Sequence, residues 1–525
     1  MKLRYFGIPV IAILTFAVML ASCSDEWDSH YSAEAANKSD LNLYEYIQSR
    51  SELSTFTEML QLTGYDSILS ESQTFTVWAP NNAALEGVNL GDLDLVKKIV
   101  TNHITRFSYT TSGISRKTIL MLDNKLLNLE IGTGGYTFGG KSIVQANLAT
   151  ANGIVHILGE YVPYRMNIWE FINQADGLDS LRTYINSITK LEFDADASYK
   201  DEVLVDSIFK STNNVLTYLG NLNTEDSIYT AILPDNTAWT EAYGRIYPCF
   251  KTLEKDGGFV QQRAFARWYL VQDLFFRDKV TPPIAKDTLF STWGNAFVHP
   301  NRLFANAQTT EMSNGLSYVT SQLYSKADES WYKEIRVEAE HSSYGRVTSN
   351  YAASAVSNIG TGYTVSNNYY ALFDPTSTSS LSKLFVNFPL PSTLSAKYNI
   401  YCVFVPTSIG NAADLRLNKV KFYFSYVNSA GVQVTNANID ANNKVLTTTQ
   451  SGASYAFTTN PAQMKMLVAK DFEFPYSNLV YDEEDPKKSL TVALKVENAA
   501  GTSTADLLNF NRALRIDCII LEPVQ

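Results

Sequence analysis

The chain has 525 residues, a formal net charge of -11 and an aromatic content of 12%. A chain of this length is too long for a single hydrophobic core and is expected to divide into about three domains. Phosphate binding requires clustered lysine and arginine, and the sequence has no such basic tract, so we exclude a nucleic-acid partner. Only 4 cysteines are present, so hydrophobic cores rather than a disulfide framework must stabilise the fold.

The first residues have the pattern of a secretion signal. Lys2 and Arg4 precede an apolar run from Ile8 to Leu20, and small residues come directly before Cys23. The run is shorter than the roughly 20 apolar residues that a membrane-spanning helix needs. We therefore expect residues 1–22 to be removed during secretion.

The segment around the expected cleavage point resembles the lipoprotein box of bacteria, carried here by Leu20-Ala21-Ser22-Cys23. The resemblance implies that Cys23 is lipidated, whereas the alternative is an ordinary signal peptide followed by a chance cysteine. The acidic stretch after it, Ser24-Asp25-Glu26-Trp27-Asp28, is similar to surface-export signals of Bacteroidetes lipoproteins. We expect residues 23–38 to form an acidic tether that places the protein on the outer membrane, facing the cell exterior.

Residues 39–165 show helical patterns followed by strand patterns. Apolar residues recur at helical spacing between Asn42 and Leu69, and Gly64 supplies a stop signal. Thr74 to Pro80 is a β-prone run that proline ends, and Ile154 to Leu158 is an apolar strand of the buried type. The order predicts an α+β domain.

Two blocks of this domain resemble the signature blocks of fasciclin-like domains. They are Thr74 to Ala84 and Ala151 to Ile157, and Asn102-His103-Ile104 between them matches the family's helix-end histidine. The resemblance implies an adhesion-type α+β module, usually without enzymatic activity. It covers most of residues 39–165, which we predict to be the first fasciclin-like domain.

A divergent second copy follows at residues 166–333. Met166 to Ile172 resembles the opening helix, Tyr229 to Trp239 the first block and Ser313 to Val319 the last block. Overlaying the copies places Tyr269 at the position of His103 and Tyr318 at the position of His156. An insertion between Leu191 and Leu219 departs from the family pattern and predicts no particular structure.

The two histidines of the first copy admit two interpretations. Imidazole binds metals and titrates near neutral pH, so His103 and His156 could form a ligand pair. The alternative is that both make internal hydrogen bonds, as the resemblance implies. Replacement by tyrosine in the second copy keeps hydrogen bonding while losing metal affinity, so we favour the structural interpretation.

After Trp331 the composition shifts towards serine, threonine, asparagine and tyrosine, and helical periodicity nearly vanishes. Short strand patterns separated by turn residues then predict an all-β sandwich over residues 334–525. Its first and last strand patterns, Ile335 to Glu340 and Leu514 to Pro523, resemble the terminal strands of galactose-binding-like jelly rolls. The overall prediction is a multidomain chain with two α+β fasciclin-like domains followed by an all-β jelly-roll sandwich.

Within that resemblance, acidic residues of the end strands help to hold a structural calcium ion. Glu338 and Glu340 fall on one side of a strand because side chains alternate with a period of two, and Asp517 lies on the last strand. The alternative is a solvent-facing strand whose acids pair with Arg336 or Arg515. No cofactor is required, and calcium is the one structural ligand that this pattern suggests.

A glycan site would stack aromatic rings on pyranose faces and use flanking amides for polar contacts. The stretch from Gly362 to Tyr370 has these residue types, and its candidate ligand-binding residues are Tyr363, Asn367, Asn368, Tyr369 and Tyr370. The alternative is that alternate tyrosines simply pack in the sandwich.

Catalytic patterns are lacking in the sequence. A serine nucleophile would need an elbow such as Gly-x-Ser-x-Gly, and we find none. The acidic cluster Asp482-Glu483-Glu484-Asp485 is followed by proline and lysines, which indicates a solvated loop rather than a facing pair of glycosidase carboxylates. We therefore expect a protein that is not an enzyme.

The sequence as a whole favours a non-catalytic surface lipoprotein that binds glycan as an accessory to a polysaccharide-uptake system. The main alternative is an adhesion or scaffolding protein that binds another outer-membrane or host protein, and a hydrolase with unlocated carboxylates is the weakest. Whether Cys402 and Cys518 form a disulfide is left open, because a bridge requires Cα atoms within about 7 Å.

Overall fold

The computed structural model describes residues 38–200, 202–341, 345–358, 362–446, 453–479 and 491–524. Cys23, the predicted signal peptide, the tether up to residue 37 and the acidic cluster at 482–485 lie outside the described residues. Within these ranges, no helix is long and apolar enough to cross a membrane. The chain divides into two compact units, of which the first contains the described residues up to Phe171, together with Asn221–Ile228 and Glu311–Gly315.

The first unit opens with three short helices, α1 (Leu43–Gln48), α2 (Ser54–Thr63) and α3 (Tyr65–Ser70). Helix α1 begins at a capping box, in which the side chains of Asn42 and Glu45 each accept a backbone N–H of the other residue. Helix α2 ends at Gly64, whose φ of 76° is left-handed and favours glycine. The predicted helical stretch and its stop at Gly64 are therefore confirmed.

A sheet of 7 strands follows, in the order β2-β1-β7-β6-β5-β4-β3. Strands β1 and β7 are neighbouring interior strands that run parallel, and their pairing places Trp78 opposite His156. Their apolar side chains pack against the helices, as expected of central strands that are buried on both faces. The remaining elements are α4 (Leu93–Asn102), β1 (Phe75–Pro80), β2 (Ile104–Arg106), β3 (Arg116–Leu120), β4 (Leu126–Gly132), β5 (Gly135–Phe138), β6 (Lys141–Thr150) and β7 (Gly153–Leu158).

The following elements build a second module that repeats part of this topology. Its sheet has the strand order β13-β12-β17-β16, which matches the order β2-β1-β7-β6 of the first. The insertion that the sequence left unread contains two hairpin pairings, β8 with β11 and β9 with β10. The elements are α5 (Ile168–Gln174), α6 (Asp179–Ser187), β8 (Thr189–Phe193), α7 (Ala195–Ser198), β9 (Tyr199–Lys200), β10 (Val203–Leu204), β11 (Phe209–Asn213), α8 (Asn214–Tyr218), β12 (Tyr229–Pro234), α9 (Asn236–Ile246), α10 (Gly258–Val271), β13 (Phe275–Arg277), β14 (Thr288–Phe290), β15 (Ala296–Val298), β16 (Gln308–Met312) and β17 (Gly315–Thr320).

The backbone pairing corrects one equivalence between the two modules. In the first module the N–H of Trp78 donates to the carbonyl of His103 at 2.9 Å, and in the second the N–H of Ile232 donates to the carbonyl of Leu274 at 2.8 Å. Leu274 therefore stands at the position of His103, and the overlay on Tyr269 was wrong. Helix α10 continues to Val271, so the residue that ends the helix lies further along the chain than the aromatic pattern indicated.

The equivalence of His156 and Tyr318 is confirmed. Each is the fourth residue of its strand, in β7 (Gly153–Leu158) and β17 (Gly315–Thr320). The Tyr318 hydroxyl donates to the carbonyl of Val280 at 3.0 Å. His156 makes the corresponding bond through Nε2, which lies 2.9 Å from the carbonyl oxygen of Tyr109.

The last part of the chain forms two antiparallel sheets that pack face to face. One has the order β20-β21-β29-β23-β27 with β18 beside β29, and the other has the order β19-β22-β28-β24-β25 with β26 beside β24. Aromatic rings meet between the sheets, such as Phe424 and Phe472, whose centroids lie 5.0 Å apart. The predicted all-β sandwich pattern is present, and the jelly-roll assignment stays a prediction.

The elements of the sandwich are β18 (Ile335–Glu338), β19 (Val347–Ser349), β20 (Tyr351–Ser357), β21 (Tyr369–Pro375), β22 (Phe385–Pro389), β23 (Lys397–Phe404), β24 (Lys419–Val427), β25 (Gln433–Asn438), β26 (Ala456–Thr458), β27 (Met464–Glu473), β28 (Ala493–Asn498), α11 (Thr504–Asn509) and β29 (Leu514–Pro523). The second compact unit contains the sandwich together with most of the second module. Direct hydrogen bonds join these parts, including Ser477 N to the carbonyl of Lys251 at 2.8 Å.

Candidate functional site

The pairing of β18 with β29 brings two of the three predicted metal ligands together. Glu338 lies opposite Cys518, which places it beside Asp517. The Ser366 hydroxyl oxygen lies 2.5 Å from both Glu338 Oε2 and Asp517 Oδ1, and the Ser366 N–H donates to the same Asp517 oxygen at 3.0 Å. Ser366 therefore fixes the preceding loop onto two carboxylates.

The geometry of this cluster calls for an additional positive charge. A hydroxyl carries one hydrogen and can donate it to only one of the two carboxylates at a time. At the other 2.5 Å contact, lone pairs of the serine oxygen and of the carboxylate oxygen face each other. This repulsion is relieved if a proton or a cation lies nearby. The cluster thus has the chemistry of a cation site.

Glu340, the third predicted ligand, adds two unsatisfied acceptors. Both of its carboxylate oxygens are buried without a hydrogen-bond partner among the described residues. Burial raises the pKa of Glu340, and the negative charges of Glu338 and Asp517 raise it further. An unpaired buried carboxylate is costly, and a bound cation would remove that cost.

The donor atoms favour a hard cation. Within the described ranges, Glu338, Asp517 and Cys518 each place one ligand atom within 4.8 Å of the others. Burial raises the pKa of the Cys518 thiol to about 12, so the sulfur stays protonated near neutral pH and is a poor ligand. The oxygen atoms that remain are of the kind that calcium prefers.

The tyrosine and asparagine stretch divides into exposed and buried residues. Asn367 and Asn368 have φ values of 50° and 60°, a left-handed turn that asparagine tolerates, and both are exposed together with Tyr369. Tyr363 is half-buried, with its hydroxyl 3.0 Å from Ser408 Oγ.

Tyr370 is the one predicted glycan ligand among these five residues that is buried, with only 4% of its surface exposed. Its ring packs with Val365 and Val405, so it cannot present a face to a sugar. Adjacent residues of a strand point to opposite sides, and Tyr369 therefore faces outward while Tyr370 faces inward.

An open cavity of about 490 Å³ lies beside the carboxylate cluster. Its polar lining comes from strands β18, β27 and β29 and from the segments before β21 and β27. The polar residues are Arg336, Thr364, Ser366, Gln463, Lys465 and Asp517. Gln463 and Lys465 were not found from the sequence. They reach the cavity because β27 pairs with β23, which itself pairs with β29, and no local pattern reveals such a long-range arrangement.

In the first unit, both histidines use their ring nitrogens internally. His103 Nδ1 lies 2.7 Å from the carbonyl oxygen of Ile99, and Nε2 accepts the N–H of Val162 at 2.9 Å. His156 is held by Tyr109 and by the N–H of Asn147. Burial lowers the pKa of each histidine to about 4, and the structural interpretation is confirmed.

A buried lysine in the same unit was missed by the sequence reasoning. The side chain of Lys125 is 2% exposed, and its Nζ lies 2.8 Å from Glu170 and 2.9 Å from Glu225. Ser313 Oγ lies 3.3 Å from the same nitrogen. These partners come from distant parts of the sequence, so no spacing could have indicated them.

Comparison with known proteins identifies one segment. Residues 51–162 match the sequence model of the family described as Fasciclin domain. This region is similar to Protein sll1483 of Synechocystis sp., with 21% identity over 139 residues, which are 25% of this chain and 77% of that protein. It is also similar to Transforming growth factor-beta-induced protein ig-h3 of Oryctolagus cuniculus, with 25% identity over 23% of this chain and 19% of that protein. Stabilin-1 of Mus musculus is 29% identical over 20% of this chain and 4% of its own length.

Two solved structures overlap with longer parts of the chain. A FAS1 domain pair from the insect cell adhesion molecule Fasciclin I covers 53% of this chain and 98% of its own, with 13% identity and a TM-score of 0.21. The C-terminal family 22 carbohydrate binding module of Clostridium thermocellum Xyn10B covers 36% of this chain and 92% of its own, with 10% identity and a TM-score of 0.18. TM-scores of this size establish no shared fold. The sequence match identifies residues 51–162 as a fasciclin domain.

Proposed function

We propose that the chain is a non-catalytic lipoprotein of the bacterial cell surface, anchored to the outer membrane through Cys23, whose sandwich binds glycan. It serves as an accessory to a polysaccharide-uptake system of the Bacteroidetes type. The observation that carries the proposal is the attachment of the 362–370 loop, through Ser366, to Glu338 and Asp517. This attachment holds Thr364 and Ser366 at an open polar cavity, and the exposed Asn367, Asn368 and Tyr369 follow directly in the chain.

The exposed groups suit the recognition of sugar hydroxyls. Asn367 and Asn368 each offer an amide donor and an amide acceptor, and Gln463 adds another at the cavity. Tyr369 is 45% exposed and can stack its ring on the apolar face of a pyranose. Arg336 and Lys465 also line the cavity, and each is already paired with a glutamate, Glu334 and Glu522 respectively.

Calcium has a supporting role in this proposal. An ion held by Glu338, Glu340 and Asp517 would neutralise the short contacts around Ser366 and fix the loop in its binding conformation. The sugar would meet the loop rather than the ion. Binding is therefore expected to weaken without calcium and not to vanish.

The arrangement of the carboxylates supports a non-catalytic role. Glycosidases place two carboxyl groups about 5 to 10 Å apart across an open cleft. Oxygens of Glu338 and Asp517 lie within 4.8 Å of each other, and both contact the same serine. The Ser366 hydroxyl therefore occupies the space between the two carboxylates where a glycosidic bond would have to lie.

A glycan array with the chain from Ser24 onward tests the proposal, with calcium or with a chelator present. Tyr369→Ala and Asn368→Ala are expected to lower binding at least tenfold. Tyr455→Ala is the matched control, because Tyr455 is 49% exposed and lies outside this loop. Absence of binding to any glycan, or equal loss in the control, would contradict the glycan function.

An adhesion or scaffolding function is the second candidate, favoured by the fasciclin domain at residues 51–162. In that case the chain would bind an outer-membrane or host protein. Co-purification from membranes of the native organism distinguishes the two. A partner retained by the Tyr369→Ala chain, together with an empty glycan array, would support adhesion instead.

A further inference from the structure

The second module contains a cavity of about 120 Å³ that the glycan function does not use. Its walls are mainly apolar and aromatic, and they include Ile232, Leu270, Leu274, Phe276, Phe297 and Leu303. All of these residues lie in the second compact unit. A single compact unit therefore supplies all of these wall residues.

Comparison of the two modules gives a reason for the cavity. Strand β1 carries Trp78, which is fully buried and stacks on Phe138 with ring centroids 3.9 Å apart. Ile232 occupies the same position in β12, as the backbone bond to Leu274 shows. An isoleucine fills much less space than an indole, and the cavity lies directly against Ile232. The second module has lost a large ring at this position and has kept the space.

The size of the cavity fits one aromatic ring. An engineered cavity of about 150 Å³ lined by leucine, isoleucine and phenylalanine in another protein stays dry and binds benzene. The cavity beside Ile232 is of similar volume, and its apolar wall also contains leucine, isoleucine and phenylalanine, whereas Arg245 and Asp273 add charged groups. Packed interiors rarely retain voids larger than a water molecule, so an empty space of this kind is a candidate binding site.

A charged residue at the cavity indicates the polar group of the ligand. Arg245 belongs to the lining and is exposed, so the cavity reaches the surface there. Its guanidinium has no ion pair or side-chain hydrogen bond within the part of the chain that the structure describes. A guanidinium matches the geometry of a carboxylate and binds it through two parallel hydrogen bonds.

The acidic residue of the lining is already satisfied. Asp273 accepts hydrogen bonds from Ser291 at 2.7 Å, Asn295 at 2.8 Å and Ser330 at 2.6 Å. It therefore does not require a cationic ligand, and its charge disfavours a carboxylate at that end. The anionic group of a ligand is directed to Arg245.

We propose that the second module binds a small aromatic carboxylate, with the ring against Ile232 in the cavity and the carboxylate paired with Arg245. This site is separate from the glycan surface. Its ligand carries one ring because the cavity has room for one, and one carboxylate because Arg245 is the one unpaired cation among the described residues that line it.

Calorimetric titration of the chain from Ser24 onward with 3-phenylpropionate tests this proposal. We expect saturable binding of one molecule per chain, and at least tenfold weaker binding of the neutral 3-phenylpropanamide. Arg245→Gln is expected to remove this difference. Arg263→Gln is the matched control, because Arg263 is an exposed arginine of the same module that does not line the cavity.

Filling the cavity provides the decisive variants. Ile232→Trp restores the side chain that Trp78 provides in the first module and is expected to reduce affinity at least tenfold. Ala242→Leu fills the cavity from another wall and covers the case in which the tryptophan variant does not fold, as judged by circular dichroism. No saturable binding up to about 10 mM, equal affinity for the acid and the amide, or unchanged affinity in the folded filling variant would each overturn the proposal.

Discussion

Lys125 Nζ lies 2.8 Å from Glu170 Oε2, in a position where the lysine side chain is only 2% exposed. Glu225, 2.9 Å from the same nitrogen, is 7% exposed. Removing one partner of a buried ion pair leaves an uncompensated charge, which costs more than the pair itself contributes.

We therefore predict that Lys125→Met lowers the free energy of unfolding of the first unit by about 3 to 5 kcal/mol. A urea titration, in which hydrogen exchange of the backbone amides of β1 and β7 reports unfolding of the first unit, measures the loss of stability. Lys141→Met is the control, because the Lys141 pair with Glu160 is 29% and 66% exposed and should contribute less than about 1 kcal/mol. Similar losses in the two variants would contradict the buried pair.

The buried histidines predict a loss of stability in acid. Their pKa is about 4 in the folded chain and about 6.5 when unfolded. The unfolded state binds more protons between these values, so the free energy of unfolding falls as pH falls from about 6.5 to about 4. Burial raises the pKa of Asp123 to about 6, which has the opposite sign and offsets part of the fall.

His156→Tyr tests this contribution, because Tyr318 makes the corresponding hydrogen bond in the second module. The variant should reduce the slope by up to about 1.4 kcal/mol per pH unit between pH 6.5 and 4. The urea midpoint of the first unit as a function of pH measures it. An unchanged slope would mean that His156 is not buried in its neutral form.

Trp78→Ile should create in the first module the space that Ile232 leaves in the second. Loss of the ring that stacks on Phe138 is expected to cost about 3 kcal/mol, a value typical of a large cavity. Trp293→Ile is the control, because Trp293 is 44% exposed and should cost less than about 1 kcal/mol. Equal costs for the buried and exposed rings would be inconsistent with this packing.

Calcium should stabilise the sandwich through Asp517. If the ion binds the folded state alone, a concentration of 100 times Kd raises stability by about 2.7 kcal/mol. Asp517→Asn is expected to abolish this rise in a thermal scan, whereas Asp414→Asn should keep it, because Asp414 is paired with Arg416 at 2.7 Å. Equal calcium shifts in both variants would exclude the site.

The cysteines of the sandwich should remain unbridged. Cys402 lies opposite Ile519 in the sheet, so its side chain and that of Cys518 point to opposite faces. Alkylation of the chain from Ser24 in denaturant without reductant should label Cys249, Cys402 and Cys518. Protection of the last two would show that a disulfide joins them.

Local signals explain most of what the sequence predicted. Gly64 ends a helix because its left-handed conformation is intrinsic to glycine. The predicted strand face shared by Glu338 and Glu340 was wrong, because β18 ends at Glu338 and Glu340 lies in a bend beyond it. The overlay of His103 on Tyr269 was wrong because helix length varies between copies, whereas Tyr318 was placed correctly by the glycine that begins its strand.

Long-range contacts explain what the sequence missed. Lys125 meets Glu170, Glu225 and Ser313 only because the chain returns to it from segments 45, 100 and 188 residues away. The cavity beside Ile232 has no sequence pattern of its own, since it arises from a ring that is missing rather than from a residue that is present.

The antiparallel pairing of β18 with β29 has a mechanical consequence. Ile335 lies opposite Leu521, so the start of β18 and the last part of β29 lie at the same end of the strand pair. A tensile force applied across residues 335 and 521 would break the hydrogen bonds one after another, like a zipper, instead of shearing them together. Glu338 lies opposite Cys518, three residue pairs further along the strands. A cation that joins Glu338 to Asp517 would resist the separation of the strands at that point.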